Sequence, residues 1–90
     1  MSVKVHVHSS HRIYTDDQAV IEVEGTTVEE CLRHLSEKYP IMEDEIFYPN
    51  GKLNELYEIW INSESAYPNE LEKEVKDGDE IYITLMLSGG

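Results

Sequence analysis

The sequence predicts an α+β domain in which one main helix packs on one face of a mixed β-sheet. Three observations carry this expectation. The chain opens and closes on alternating runs, VKVHVH at 3–8 and IYITLML at 81–87; an amphipathic stretch that begins on a capping signal lies between them; and a third alternating run, YEIWIN, follows at 57–62.

In the first run Val3, Val5 and Val7 share one side and Lys4, His6 and His8 the other, the period of a half-buried strand. Polar residues 9–18 follow as a long loop, and AVIEVE resumes strand character with Ile21 and Val23 inward, so the pair reads as a hairpin. In TTVEECLRHLSEKYP, Thr27 is placed to act as N-cap, Glu30 is its capping-box partner and Pro40 marks the end. Val28, Cys31, Leu32, Leu35 and Tyr39 form one helical face, with Glu29, Arg33, Ser36 and Glu37 pointing elsewhere.

Residues 41–48 can form a short second helix before the turn signal Pro49-Asn50-Gly51. In the next strand Ile59 and Ile61 face inward and Trp60 outward. Leu71 and Val75 are expected as satellites of the core, with a short edge strand near 71–74, and Asp77-Gly78 as a tight turn. The last strand places Ile81, Ile83 and Leu85 on one face and Tyr82, Thr84 and Met86 on the other. A central position for it, parallel to the first strand, accounts for its apolar character. The resulting order of elements is that of a β-grasp.

The 90 residues are expected to form a single domain, 1–90, with a flexible tail at 87–90. Nineteen acidic residues against seven basic ones give a formal net charge of −12. Such a charge argues against nucleic acid and anionic membranes as partners and favours a protein with a basic patch. The lone Cys31 excludes an internal disulfide, and no apolar run reaches the roughly 20 residues that span a bilayer, so a cytoplasmic location is expected.

Several other groups are candidate sites by residue type. His6, His8 and His11 are conceivable metal ligands, but no fourth ligand is placed by spacing, and solvated histidines are the favoured reading, with no metal. Cys31 lies on the buried helix face without a paired base. Asp16-Asp17 and Asp77 with Asp79 read as turn and solubility residues. Trp60, Tyr82 and Met86 share the sheet face opposite the helix, and large apolar groups there suggest a docking patch.

The opening strand VKVHVH, the helix TTVEECLRHLSEKYP, IWIN, VKDGDEIYI and the terminal SGG together resemble the ubiquitin-like sulfur carriers, which include the small subunit of molybdopterin synthase and the thiamin-pathway carrier. The resemblance implies that Gly89 and Gly90 are the working end. A ubiquitin-activating-like adenylyltransferase would use ATP and magnesium to adenylate the Gly90 carboxylate, and a sulfide or persulfide would replace AMP to leave a thiocarboxylate. The carrier itself would hold no tightly bound cofactor and would not be an enzyme. Its second partner would be a sulfur-acceptor enzyme such as a synthase large subunit, with Leu87 and Ser88 also contacting partners.

The chemistry agrees: a free carboxylate is a poor acyl donor, and an extended tail from Leu85 to Gly90 reaches about 20 Å, long enough to enter another protein. Asn62-Ser63 in place of the frequent Asn-Gly, and LML before the tail, depart from the pattern, while the long connection 41–57 resembles the molybdopterin type. A protein modifier joined to lysines through Gly90, and a plain β-grasp interaction module, are the alternative readings.

Overall fold

The computed structural model describes residues 2–85. Its elements are β1 (Ser2–His6), a 3₁₀ turn (Ser9–Tyr14), β2 (Val20–Glu24), α1 (Val28–Lys38), α2 (Pro40–Ile46), β3 (Tyr57–Ile61), β4 (Glu64–Ser65), a second 3₁₀ turn (Glu70–Glu72) and β5 (Glu80–Leu85). The five strands form one sheet in the order β2-β1-β5-β3-β4. β5 runs parallel to β1 and antiparallel to β3, so it sits at the centre with a neighbour on each side, as the β-grasp order requires.

Alternation decides which side chains the sheet buries. Val3 and Val5, Ile21 and Val23, Tyr57 and Ile59, and Ile81 and Ile83 all point to one face, where they meet Val28, Cys31, Leu32 and Leu35 of α1 and Met42 and Ile46 of α2. Val75 is buried with them, and Leu71 and Leu85 pack at the margin. Among the described residues no helix is long and apolar enough to cross a membrane.

The helix start follows from its cap. Thr27 Oγ1 accepts the Glu30 N–H at 3.2 Å. The Glu30 carboxylate reaches back one residue further than a standard capping box, accepting from the Thr26 N–H at 2.7 Å and the Thr26 hydroxyl at 2.8 Å. These bonds, the backbone one first, hold the Glu30 carboxyl below its usual range. Ser36, expected to point away from the core, is buried instead; its hydroxyl donates to the Leu32 carbonyl at 3.0 Å, which satisfies it within the helix.

The edge strand expected near 71–74 is reduced to one antiparallel bridge, Glu74 with Thr27. Residues 70–72 turn as a 3₁₀ helix, and the bonds that follow lie at the N-terminus of α1: the Val28 N–H donates to the Lys73 carbonyl at 2.9 Å and the Val75 N–H to the Thr26 carbonyl at 3.0 Å. One of the helix's open first-turn donors is thereby filled. The short edge strand is Glu64–Ser65, returned against β3 by Asn62 in the left-handed region at φ 56°. The Asn62 side chain fixes that turn, donating to Asp79 Oδ1 and accepting the Glu80 N–H. The loop expected at 9–18 is half ordered as the first 3₁₀ turn and ends at Asp16 and Asp17, both with positive φ, so this acidic pair does serve as turn residues.

Candidate functional site

The candidate site is the sheet face that α1 does not cover. The same alternation that buries Ile59, Ile81 and Val5 sends Trp60, Tyr82 and His6 to the opposite side. Register then sets them side by side, since His6 pairs with Tyr82 and Tyr82 with Trp60. Val20 lies at one end of this row, opposite His6, and Ser65 at the other, opposite Trp60. The result is an aromatic row across the middle of the sheet.

The row is laterally packed. The His6 and Tyr82 rings stack with centroids 4.1 Å apart and planes at 15°. His6 Nε2 lies 2.5 Å from Glu80 Oε1, so one carboxylate holds the imidazole over the phenol. Trp60 and Tyr82 are both half-buried, less open than the expected patch of exposed rings, and they stand as direct cross-strand neighbours in one strip. Lys4, Glu22, Glu24, Glu58 and Glu80 frame the strip on the same face. A strip of aromatic surface with an acidic frame is suited to a partner that presents apolar groups inside a basic rim.

Of the sequence-derived site residues, Trp60 and Tyr82 are thus brought together on β3 and β5. Met86, Leu87, Ser88, Gly89 and Gly90 lie outside the described residues. β5 carries the chain to Leu85 in full register with Tyr57 of β3.

The three histidines divide into separate roles. His6 belongs to the aromatic row. His8 Nδ1 accepts the Ser10 N–H at 3.1 Å and caps the first 3₁₀ turn. His11, read from sequence as solvated, is buried: Nε2 is 2.5 Å from the Tyr57 hydroxyl, Nδ1 is 3.1 Å from Ser10 Oγ, and Glu45 Oε2 is 3.8 Å from Nε2. Burial lowers the His11 pKa, Glu45 opposes that and His8 adds to it. Burial, with Glu45 second, pushes Tyr57 up to about 12. Among the described residues no three His, Cys, Asp or Glu side chains gather as a metal set. Cys31 is pushed up to about 11 by burial and by Glu30, which keeps its thiol protonated near neutral pH.

Sequence reasoning missed His6 as part of the row and His11 as a core group. Alternation puts His6 on the open face, whereas its place beside Tyr82 needs the register between β1 and β5. For His11 no periodic pattern exists in residues 9–18 to reveal an inward side chain. A cleft of about 560 Å³ on the helix side is lined by Arg33, Glu43, Phe47 and Gly51 among others. Its Arg33 is already engaged by Glu43 at 3.1 Å, Glu29 at 3.7 Å and the Phe47 ring at 4.1 Å.

Comparison with known proteins agrees with this architecture. Among solved structures, one chain in the Amycolatopsis orientalis BexX/CysO complex superposes with a TM-score of 0.87 at 27% identity, over 98% of this chain and 99% of that one. Small archaeal modifier protein 1 from Methanosarcina acetivorans matches with a TM-score of 0.84 at 29% identity, over 99% and 96%. Mycobacterium tuberculosis CysO, an antigen, matches with a TM-score of 0.86 at 24% identity, over 94% and 99%, and at that identity speaks to the fold. A comparison with curated protein sequences gives no match. The sequence matches the ThiS family over residues 5–90, nearly the whole length and through the glycine pair. With its β-grasp sheet, parallel central β5 and this family match, the chain belongs to the ThiS family of ubiquitin-like sulfur carriers.

Proposed function

We propose that this chain is a sulfur carrier whose Gly90 carboxylate, in a chain ending at that residue, is the group that carries the sulfur. The observation that supports this most strongly is the family match, which extends to residue 90 and so includes Gly89 and Gly90. In the proposed reaction a ubiquitin-activating-like adenylyltransferase joins the carboxylate to the α-phosphate of ATP, with magnesium on the phosphates and pyrophosphate leaving. Sulfide then attacks the acyl carbon and AMP departs, leaving the thiocarboxylate. If the donor is a persulfide, a thiol must afterwards reduce the acyl disulfide. The chain contributes no catalytic group in this reading; its share is recognition and delivery.

Recognition is assigned to the row His6–Tyr82–Trp60, and Met86, Leu87 and Ser88, outside the described residues, are proposed as further partner contacts. β5 contributes Tyr82 to that row and leads directly into the tail, so a partner gripping the sheet face also receives the carboxylate. Gly89 and Gly90 lack a Cβ, which allows close approach of nucleotide and partner backbone. The relative in the Amycolatopsis orientalis structure is in complex with BexX, an example of such a chain assembled with a second protein. For the acceptor we take the molybdopterin type as the first to test, because the connection from α1 to β3 is long enough to include α2.

One observation favours a second reading. The Methanosarcina acetivorans relative at 29% identity is a modifier protein, and attachment to lysines through Gly90 needs the same activated carboxylate. Expression of the tagged chain separates the two. A modifier gives higher-mass conjugates that vanish when Gly90 is deleted, whereas a carrier gives only the free form, with a thiocarboxylate at its end. Full function of Gly90→Ala would contradict both readings.

A further inference from the structure

The outer edge of β2 has the features of a second binding surface, one that borders the aromatic row at Val20. Two backbone bonds set the parity of the sheet: the Val7 N–H donates to the Ala19 carbonyl at 2.9 Å, and the Lys4 N–H donates to the Asp79 carbonyl at 3.1 Å. Odd residues of the first strand therefore bond towards β2 and even ones towards β5. Through the register Val3↔Val23 and Val5↔Ile21, it is Ile21 and Val23 whose backbone groups are used inside the sheet. The backbone groups of Val20, Glu22 and Glu24 face outward.

One of these outward groups is taken, since the Glu24 N–H donates to His34 Nδ1 of α1 at 2.8 Å. Among the described residues, the outward N–H and C=O groups of Val20 and Glu22 have no partner within the chain. They repeat every second residue, about 6.7 Å apart, which is the spacing another strand needs. Exposed edges of this kind are commonly blunted by Pro, by a bulge or by charged side chains, above all Lys. β2 reads VIEVE in unbroken register with no Pro, bulge or Lys, and its charges, Glu22 and Glu24, repel an acidic strand and not a basic one.

The side chains say what can pair there. Val20, 41% exposed, and the exposed Glu22 and Glu24 stand on the open face beside any incoming strand. A second copy of this chain would set Glu22 and Glu24 against their own counterparts, in a protein of net charge −12, and like charges across strands are destabilising. We infer that the β2 edge adds an extended basic segment of a partner protein as a sixth strand, antiparallel to β2, with Lys or Arg beside Glu24 and Glu22 and an apolar residue beside Val20. The segment thus reads basic–x–basic–x–apolar in its own direction. Backbone bonds supply the affinity and the alternate side chains the selectivity. This surface does not depend on what Gly90 does; its backbone groups point away from β1, while its side chains Val20, Glu22 and Glu24 border the aromatic row.

The test uses the full chain and a synthetic peptide with the core Lys-Thr-Lys-Thr-Val, alongside a Glu-Thr-Glu-Thr-Val control. Amide exchange followed by NMR is expected to slow at Val20 and Glu22 on adding the basic peptide, and not on adding the acidic one. Glu22→Pro removes one outward donor while leaving the bonds to β1, because proline is tolerated at a sheet edge, and should abolish the protection. Glu22→Lys keeps the backbone intact and should weaken the basic peptide about fivefold or more through the reversed charge pair. Protection centred on Tyr82 and Trp60, binding unchanged in Glu22→Pro, or no protection at millimolar peptide would each overturn the inference.

Discussion

Tyr57→Phe removes a single oxygen from a site where the structure leaves it one partner. The hydroxyl lies 2.5 Å from His11 Nε2, and both residues are buried. The substitution forfeits a hydrogen bond of about 1 kcal/mol and leaves an imidazole nitrogen without that partner, for about another 1 kcal/mol, so the expected loss is about 2 kcal/mol. In a domain of this size that corresponds to a fall in Tm of about 8–16 °C. Urea unfolding at about pH 8, followed by Trp60 fluorescence and by circular dichroism, measures it, with the m-value expected to be unchanged.

The same pair gives a pH dependence whose sign is fixed. Burial makes the folded state hold the His11 proton less tightly than the unfolded chain, whose imidazole titrates near 6.5. The unfolded state therefore binds more protons as pH falls, and the stabilisation present above 6.5 is lost progressively below it, towards the lower pKa of folded His11. His11→Gln removes this titration, so the stability difference between wild type and His11→Gln should shrink as the pH is lowered from about 8 to 5. A loss below about 0.5 kcal/mol in Tyr57→Phe, or a difference from His11→Gln that stays flat with pH, would refute the assignment of a buried His11–Tyr57 pair.

Further substitutions probe the helix entry and the open face. Gly25→Ala would bring a Cβ to 2.9 Å from both the Cys31 backbone nitrogen and Glu30 Cβ; the strain should cost about 1–3 kcal/mol in urea unfolding. Thr27→Ala removes the acceptor of the Glu30 N–H and should cost about 1 kcal/mol by the same measurement. Trp60→Ala is expected to raise the KM of the activating enzyme for this chain about tenfold or more with its kcat little changed, because the role proposed for the side chain is docking surface and no chemistry. Raising the salt concentration should slow association with that enzyme, as steering by a net charge of −12 requires.

The parts of this fold set by repetition were readable in the amino-acid order. Val3 and Val5, Ile59 and Ile81 with Ile83 announce strands by their period, and Thr27 with Pro40 brackets the helix, because each signal is local. The central place of β5 was legible too, since a strand so apolar needs cover on both edges. What escaped was set by long-range partners. Residues 71–74 carry no pattern that shows where their backbone pairs; the Lys73 carbonyl and the Val75 N–H are claimed by Val28 and Thr26 across the molecule, and the edge went to Glu64–Ser65 through the conformation of Asn62. His11 has a polar sequence neighbourhood, and among the partners of its buried ring is the hydroxyl of Tyr57, 46 positions on. Within the candidate site, Trp60 and Tyr82 follow from alternation, whereas the contribution of His6 needs the register between β1 and β5, and the open β2 edge needs the parity of two backbone bonds.

The central claim concerns one carboxylate, and intact-mass spectrometry addresses it directly. The purified chain, ending at Gly90, is incubated with its activating enzyme, ATP, magnesium and a sulfur source, and the C-terminal fragment is sequenced by mass. The account predicts a gain equal to the oxygen-to-sulfur difference, confined to Gly90, dependent on ATP and absent when Gly90 is deleted. A chain that forms no adenylate and gains no sulfur with an enzyme shown to bind it would contradict the account.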